Sequence, residues 1–191
     1  MGAELLSQAF TSTSGVLAGV SVADFEKATP CASWQVRELI NHVVGGPRWY
    51  ASFAVTGAAP SDGSPQGAED FSAGDFRGTF ASDSERCVAA FSADGAMERM
   101  MRLPFGELPG AVYVNIAAVD TFAHGWDLAR ATGQSTDLDP ELAAQFLAFS
   151  EAALPDAFRG PEGQAPFGRR ATVSESASMA DQLAAFLGRQ V

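Results

Sequence analysis

Apolar side chains recur along this chain mostly at intervals of three and four, the period of a helix with one buried face. Over residues 4–20, Leu5, Leu6, Ala9, Phe10, Val16 and Leu17 follow that spacing, weakened by the Ser and Thr residues at 11–14. Lys27-Ala28-Thr29-Pro30-Cys31 reads as a linker, because the residue before a proline resists helical backbone. Ser33 is the expected N-cap of a second helix over residues 34–56, with Val36, Leu39, Ile40, Val43 and Val44 as its core stripe. Residues 57–74 are rich in Gly, Ala, Ser, Pro and Asp and read as an exposed loop, either a lid or a mobile connection. A third helix is expected over 75–93, with Phe76, Phe80, Cys87, Val88 and Phe91 inward. Leu103-Pro104-Phe105-Gly106 reads as a short extended piece or a turn. The fourth helix is expected over 110–132, closed by Gly133 in a left-handed cap. Pro140 opens a fifth helix with Leu142, Phe146, Phe149 and Leu154 inward. Residues 159–177 read as irregular. A last helix follows Ser178, which has capping-box spacing to Asp181, and buries Leu183, Phe186 and Leu187.

These stripes specify an all-α fold, an antiparallel bundle of four long helices with short accessories. At 191 residues, 47% of them hydrophobic, the chain suits one domain with a real core, residues 1–191. The net charge of -11 argues against nucleic acid and anionic membranes as partners. No window approaches the roughly 20 apolar residues that cross a bilayer. The N-terminus lacks the basic and apolar regions of a signal peptide. With only Cys31 and Cys87, a disulfide framework is not expected, so the reading is soluble and cytoplasmic.

Candidate chemistry concentrates on the two histidines. Asp120 and His124 are four apart on the fourth helix and share an inward stripe with Ala117 and Leu128. His42 lies on the second helix, aligned with Gly46, Trp49 and Phe53 as its stripe drifts inward. An Asp and a His inside a bundle are costly unless paired or bound to something, and a divalent metal satisfies both. Two imidazoles and one carboxylate leave a coordination position open, the catalytic pattern for zinc; ferrous iron or nickel also suit the set. The bland alternative is a solvated pair four residues apart or a core histidine. Asp127 could accept a hydrogen bond behind the ligands, pair with Arg130 at the surface, or reach the pocket rim. Trp49 and Trp126 could wall a pocket, or simply pack with Trp34. Cys31 is better read as a structural cysteine than as a reactive one, since no base is evident near it.

Three stretches resemble a known family. The run Thr29-Pro30-Cys31-Ala32-Ser33-Trp34-Gln35-Val36-Arg37-Glu38-Leu39-Ile40-Asn41-His42-Val43-Val44-Gly45-Gly46 resembles the second-helix signature of the DinB-like proteins, in the branch of the mycothiol-dependent maleylpyruvate isomerase N-terminal domain. Asp120-Thr121-Phe122-Ala123-His124-Gly125-Trp126-Asp127 and the residues to Gln134 are similar to the later metal helix of that branch. The ending, Ala184 to Arg189, is similar to those of its short single-domain members. The resemblance implies an up-down four-helix bundle with a metal at one end of its core, His42 and His124 as ligands, and Asp120 where the isomerase often has glutamate. Two-domain members add a substrate-binding domain that these residues do not accommodate, so the isomerase reaction itself is not carried over. What is implied is a metal-dependent transferase or isomerase that uses a small thiol such as mycothiol on a small electrophilic substrate. The alternatives are a hydrolase using metal-activated water, or a metal- or ligand-binding module without catalysis. The oligomeric state stays open, with a homodimer compatible.

Overall fold

A computed structural model describes residues 2–31, 33–60, 69–104, 106–161, 165 and 167–191. Its helices are α1 (Ala3–Gly19), α2 (Val36–Thr56), α3 (Phe76–Ser92), α4 (Gly110–Thr132), α5 (Pro140–Ala153) and α6 (Met179–Phe186). Between α3 and α4, strands β1 (Met100–Leu103) and β2 (Gly106–Pro109) form one antiparallel hairpin, with Met101 opposite Leu108. The short extended piece expected near residue 103 is thus a paired ribbon.

The four long helices close a ring in the order α1–α3–α2–α4. Phe10 packs edge-on against Phe80 while Arg77 bonds the carbonyl of Leu17, so α1 and α3 run antiparallel. Thr13 bonds the carbonyl of Thr121, and Gln134, just past α4, bonds that of Val16, so α1 and α4 run parallel. The pairs Arg37–Ser72 and Arg48–Asp83 make α2 and α3 parallel. Opposite directions follow for α2 and α4, where His42 faces His124 and Phe53 faces Tyr113. The all-α bundle is as expected, but its order is up-down-down-up: α2 and α3 run parallel, as do α1 and α4, where an antiparallel up-down order was expected. A long connection over residues 57–75 is what permits two successive helices to run the same way.

Helix α4 is the central element. It packs on α1 and α2 within the ring and is covered outside by α5 and α6. Hence Ala123 through Ala129 are all buried. A Cβ at Gly125 would stand 2.6 Å from Thr13 Oγ1, so glycine is what lets α1 and α4 approach there. The hairpin ties the ring together at one end: the Arg102 amide donates to the carbonyl of Gly57, the left-handed cap of α2.

Two boundaries differ from expectation. Helix α2 starts at Val36, and its cap is Gln35, whose amide donates to Glu38 Oε2 at 2.9 Å, not Ser33. Backbone pairing of residues 25–28 with 35–37, and a turn in which the Trp34 amide donates to the carbonyl of Cys31, leave Trp34 outside the helix. The expected exposed loop ends in a 3-10 turn, Phe71–Ala73, with Phe71 and Ser72 buried because Asn41 and Asp70 bond the Ser72 amide. Residues 61–68 of that loop, and 162–164 and 166 of the irregular stretch, lie outside the described residues. Among the described residues no helix is long and apolar enough to cross a membrane, and both cysteines are free.

Candidate metal centre

One helical turn on α4 separates Asp120 from His124, and the antiparallel α2 presents His42 to both. His42 Nε2 stands 3.5 Å from Asp120 Oδ2, and His124 Nε2 stands 3.6 Å from Asp120 Oδ1. The two imidazole rings meet edge to face, centroids 4.7 Å apart. Ligand atoms of all three residues lie within 4.8 Å of one another. Tyr50, two turns beyond His42, donates its hydroxyl to Asp120 Oδ2 at 2.5 Å. The Asp120 side chain keeps 39% of its exposure, against 14% for His42 and 10% for His124, so the cluster opens to solvent across the carboxylate.

Trp34 covers the imidazoles, its ring 4.7 Å from His42 and 5.7 Å from His124. The indole beside the cluster is therefore this one. Trp49 packs on Phe53 instead, and buried Trp126 turns outward to donate to Asp181 at 2.8 Å. Residue 126 is two positions past His124 and so points to the far side of α4.

Behind His124 lies a second group. Asp127 Oδ2 is 2.9 Å from His124 Nδ1 and accepts from Cys31 Sγ at 3.3 Å. Arg189, from the tail beyond α6, donates to Asp127 Oδ1 at 3.3 Å and to Oδ2 at 3.0 Å. Asp127 is wholly buried, so it neither pairs with Arg130 at the surface nor reaches a pocket rim. The sequence shows no base near Cys31, but in the fold its sulfur is 3.9 Å from His124 Nδ1.

Opposing effects set the charges. Burial pushes the Asp120 carboxyl up, but the His124 and His42 imidazoles and the Tyr50 hydroxyl hold it well below the ordinary carboxylate value. Burial also favours a neutral His124, yet the Asp120 charge and the bond to Asp127 raise it to about 10. Asp127, despite burial, is held at about 2 by Arg189 and His124. An ionised carboxylate only accepts, so His124 Nδ1 carries the proton between them and Nε2 is the nitrogen turned toward Asp120.

The donor set fits a divalent ion. Two ligands each about 2.1 Å from a tetrahedral zinc stand about 3.4 Å apart. The separations of 3.5 and 3.6 Å, each to a different oxygen of Asp120, are close to that spacing and longer than an ordinary hydrogen bond. Cys31, His124 and Asp127 also come together, but their 2.9 Å contact is a hydrogen bond and Arg189 already neutralises the carboxylate.

Residues 6–129 match the mycothiol maleylpyruvate isomerase N-terminal domain family. The chain belongs to that family. Both histidines, Asp120 and Asp127 fall inside the matched span, whereas Arg189 does not. Among similar sequences are two uncharacterized proteins of Mycobacterium tuberculosis, strains CDC 1551 / Oshkosh and H37Rv, each 40% identical over 183 residues and covering 92% of this chain and 91% of the relative. The crystal structure of the mycothiol-dependent maleylpyruvate isomerase is similar in fold, with a TM-score of 0.58 at 19% identity over 76% of this chain. A point mutant of that isomerase gives 0.57 at the same identity. The chain spans 66% of the isomerase's length.

Proposed function

We propose that this family member binds one divalent metal through His42, Asp120 and His124 and acts on a small electrophilic substrate with a small thiol, mycothiol or a close analogue, as co-substrate. The observation that carries the reading is the placement of two imidazole Nε2 atoms, each 3.5–3.6 Å from a different oxygen of one carboxylate. Zinc suits the set first, with nickel and ferrous iron as alternatives. A metal held by these three residues would supply Lewis acidity, which favours the thiolate form of a small thiol at neutral pH.

The chain's own residues do the rest. Tyr50 fixes the Asp120 carboxylate by its short hydrogen bond. Asp127 fixes the His124 ring through Nδ1, which keeps Nε2 turned inward. Trp34 shields one side of the imidazoles from water and offers an apolar face to an electrophile. Asp127 is sealed behind His124 and cannot ferry protons to solvent, which weighs against a hydrolase that needs a separate shuttle.

The test is metal content of the purified protein, followed by thiol titration of a cobalt(II)-substituted sample. One equivalent of metal and a thiolate charge-transfer band on adding mycothiol are expected. Turnover of electrophiles by water alone would replace this reading with the hydrolase. Metal without thiol binding or turnover would leave a binding module.

A further inference from the structure

The family match ends at residue 129, yet the centre described above is completed from the far end of the chain. Arg189 is 62 residues from Asp127 in sequence and makes two bonds to it. Only 15% of the Arg189 side chain is exposed. Its own backbone is fastened: the Arg189 amide donates to the carbonyl of Ala184 at 2.9 Å, and its guanidinium also bonds the carbonyl of Leu187. Gly188 turns the chain back at φ 98°, so close to Gly168 that a Cβ would stand 2.6 Å from its Cα. The arm is therefore built to hold a guanidinium at one place rather than to drape one there.

At that place stands a wholly buried carboxylate whose other partners are His124 and Cys31. A buried charge that loses one partner is left costly and free to rotate toward another. The partner at stake here is the ring whose opposite nitrogen faces Asp120 and His42. We propose that Arg189 is a positioning residue of the metal centre: it fixes Asp127, Asp127 fixes His124, and docking of the C-terminal tail is thereby coupled to metal binding. The inference rests on His124 being a ligand. Coupling of this kind is reciprocal, so an occupied centre holds the tail more firmly, and a loosened tail weakens the centre.

The experiment compares the full-length protein with Arg189→Gln, Arg189→Lys, Asp127→Asn and the Arg189→Gln/Asp127→Asn double variant. Zinc affinity is read by chelator competition, and the cobalt(II) visible spectrum reports ligand geometry. Arg189→Gln should weaken zinc about 10–100-fold and shift the cobalt bands. Arg189→Lys should recover part of both. The double variant should bind zinc about as weakly as Asp127→Asn alone, since both act through one ring. In the unaltered protein, saturating zinc should slow amide exchange across residues 180–189. A folded Arg189→Gln with wild-type affinity and spectrum overturns the proposal. Should that variant not fold, exchange over 180–189 that is indifferent to zinc overturns it equally. A wild-type protein that takes up no metal removes the functional reading above and this inference with it.

Discussion

His124 separates two clusters of like composition and unlike spacing. In front stand His42, Asp120 and Tyr50; behind stand Cys31, Asp127 and Arg189. Each side holds a carboxylate, and each could be drawn as a set of metal ligands. Behind, the contacts to the Asp127 carboxylate are 2.9–3.3 Å, and a guanidinium balances it. In front, the imidazole-to-carboxylate separations are 3.5 and 3.6 Å and the carboxylate is only partly buried. The difference teaches that composition does not identify a metal site. Spacing is the better guide: the rear group satisfies itself, and the forward group keeps separations that an ion would fit.

The sharpest way to break the comparison is to empty the forward side. Replacing His42 and His124 together with alanine should abolish stoichiometric metal, measured by elemental analysis of purified protein. Retention of one equivalent would move the site to the rear cluster or elsewhere. Next in size is Tyr50→Phe, which removes the hydroxyl that orients Asp120. Zinc affinity should fall about tenfold, and an unchanged affinity would show that Asp120 needs no such support.

A pH series sharpens the contrast further. The folded, metal-free protein holds the His124 proton up to about 10, above the ordinary imidazole value of 6.5. Its stabilising contribution is complete below 6.5 and is lost as pH climbs toward 10. Metal must displace a proton from this cluster, so affinity should rise over the same interval. Denaturant midpoints of metal-free protein should therefore fall from pH 6.5 to 10 while those of the loaded protein fall less; parallel curves would refute the linkage. The smallest effect belongs to Cys31→Ser. Its thiol is a weak donor to an oxygen that already has two stronger partners, so metal affinity should change by no more than a factor of a few. A large loss would mean that the sulfur is itself a ligand.

Much of the forward cluster is visible in the sequence. Asp120 and His124 share a face by simple helical period, and His42 is the only other imidazole in the chain. The end of helix α4 is readable because Gly133 punctuates it. Tyr50 was within reach of the same reasoning, lying eight residues beyond His42 on one stripe, with the small Gly46 between them. Trp34 is obscured because the helix expected from residue 34 starts at Val36, which leaves the indole on the preceding turn. The rear cluster is another matter. Asp127 is three residues from both His124 and Arg130, and periodicity serves either partner equally. Only the packing of α5, α6 and the tail over α4 decides between them. Contacts from Cys31, 96 residues away, and Arg189, 62 residues away, leave no periodic trace.

The parallel run of α1 beside α4, with α2 and α3 reversed, also sets the order in which the molecule can be made. Synthesis releases His42 first, Asp120 and His124 after α1, α2 and α3, and Arg189 later still. A nascent chain therefore holds a local Asp120–His124 pair before α5, α6 and the tail cover it, and must close loops of 70 and then 62 residues to bring in Tyr50 and Arg189. Such closures cost little more as loops lengthen, but they are slow compared with winding a helix. Metal uptake should accordingly trail helix formation in refolding, reporting the arrival of the native topology and not the growth of its helices.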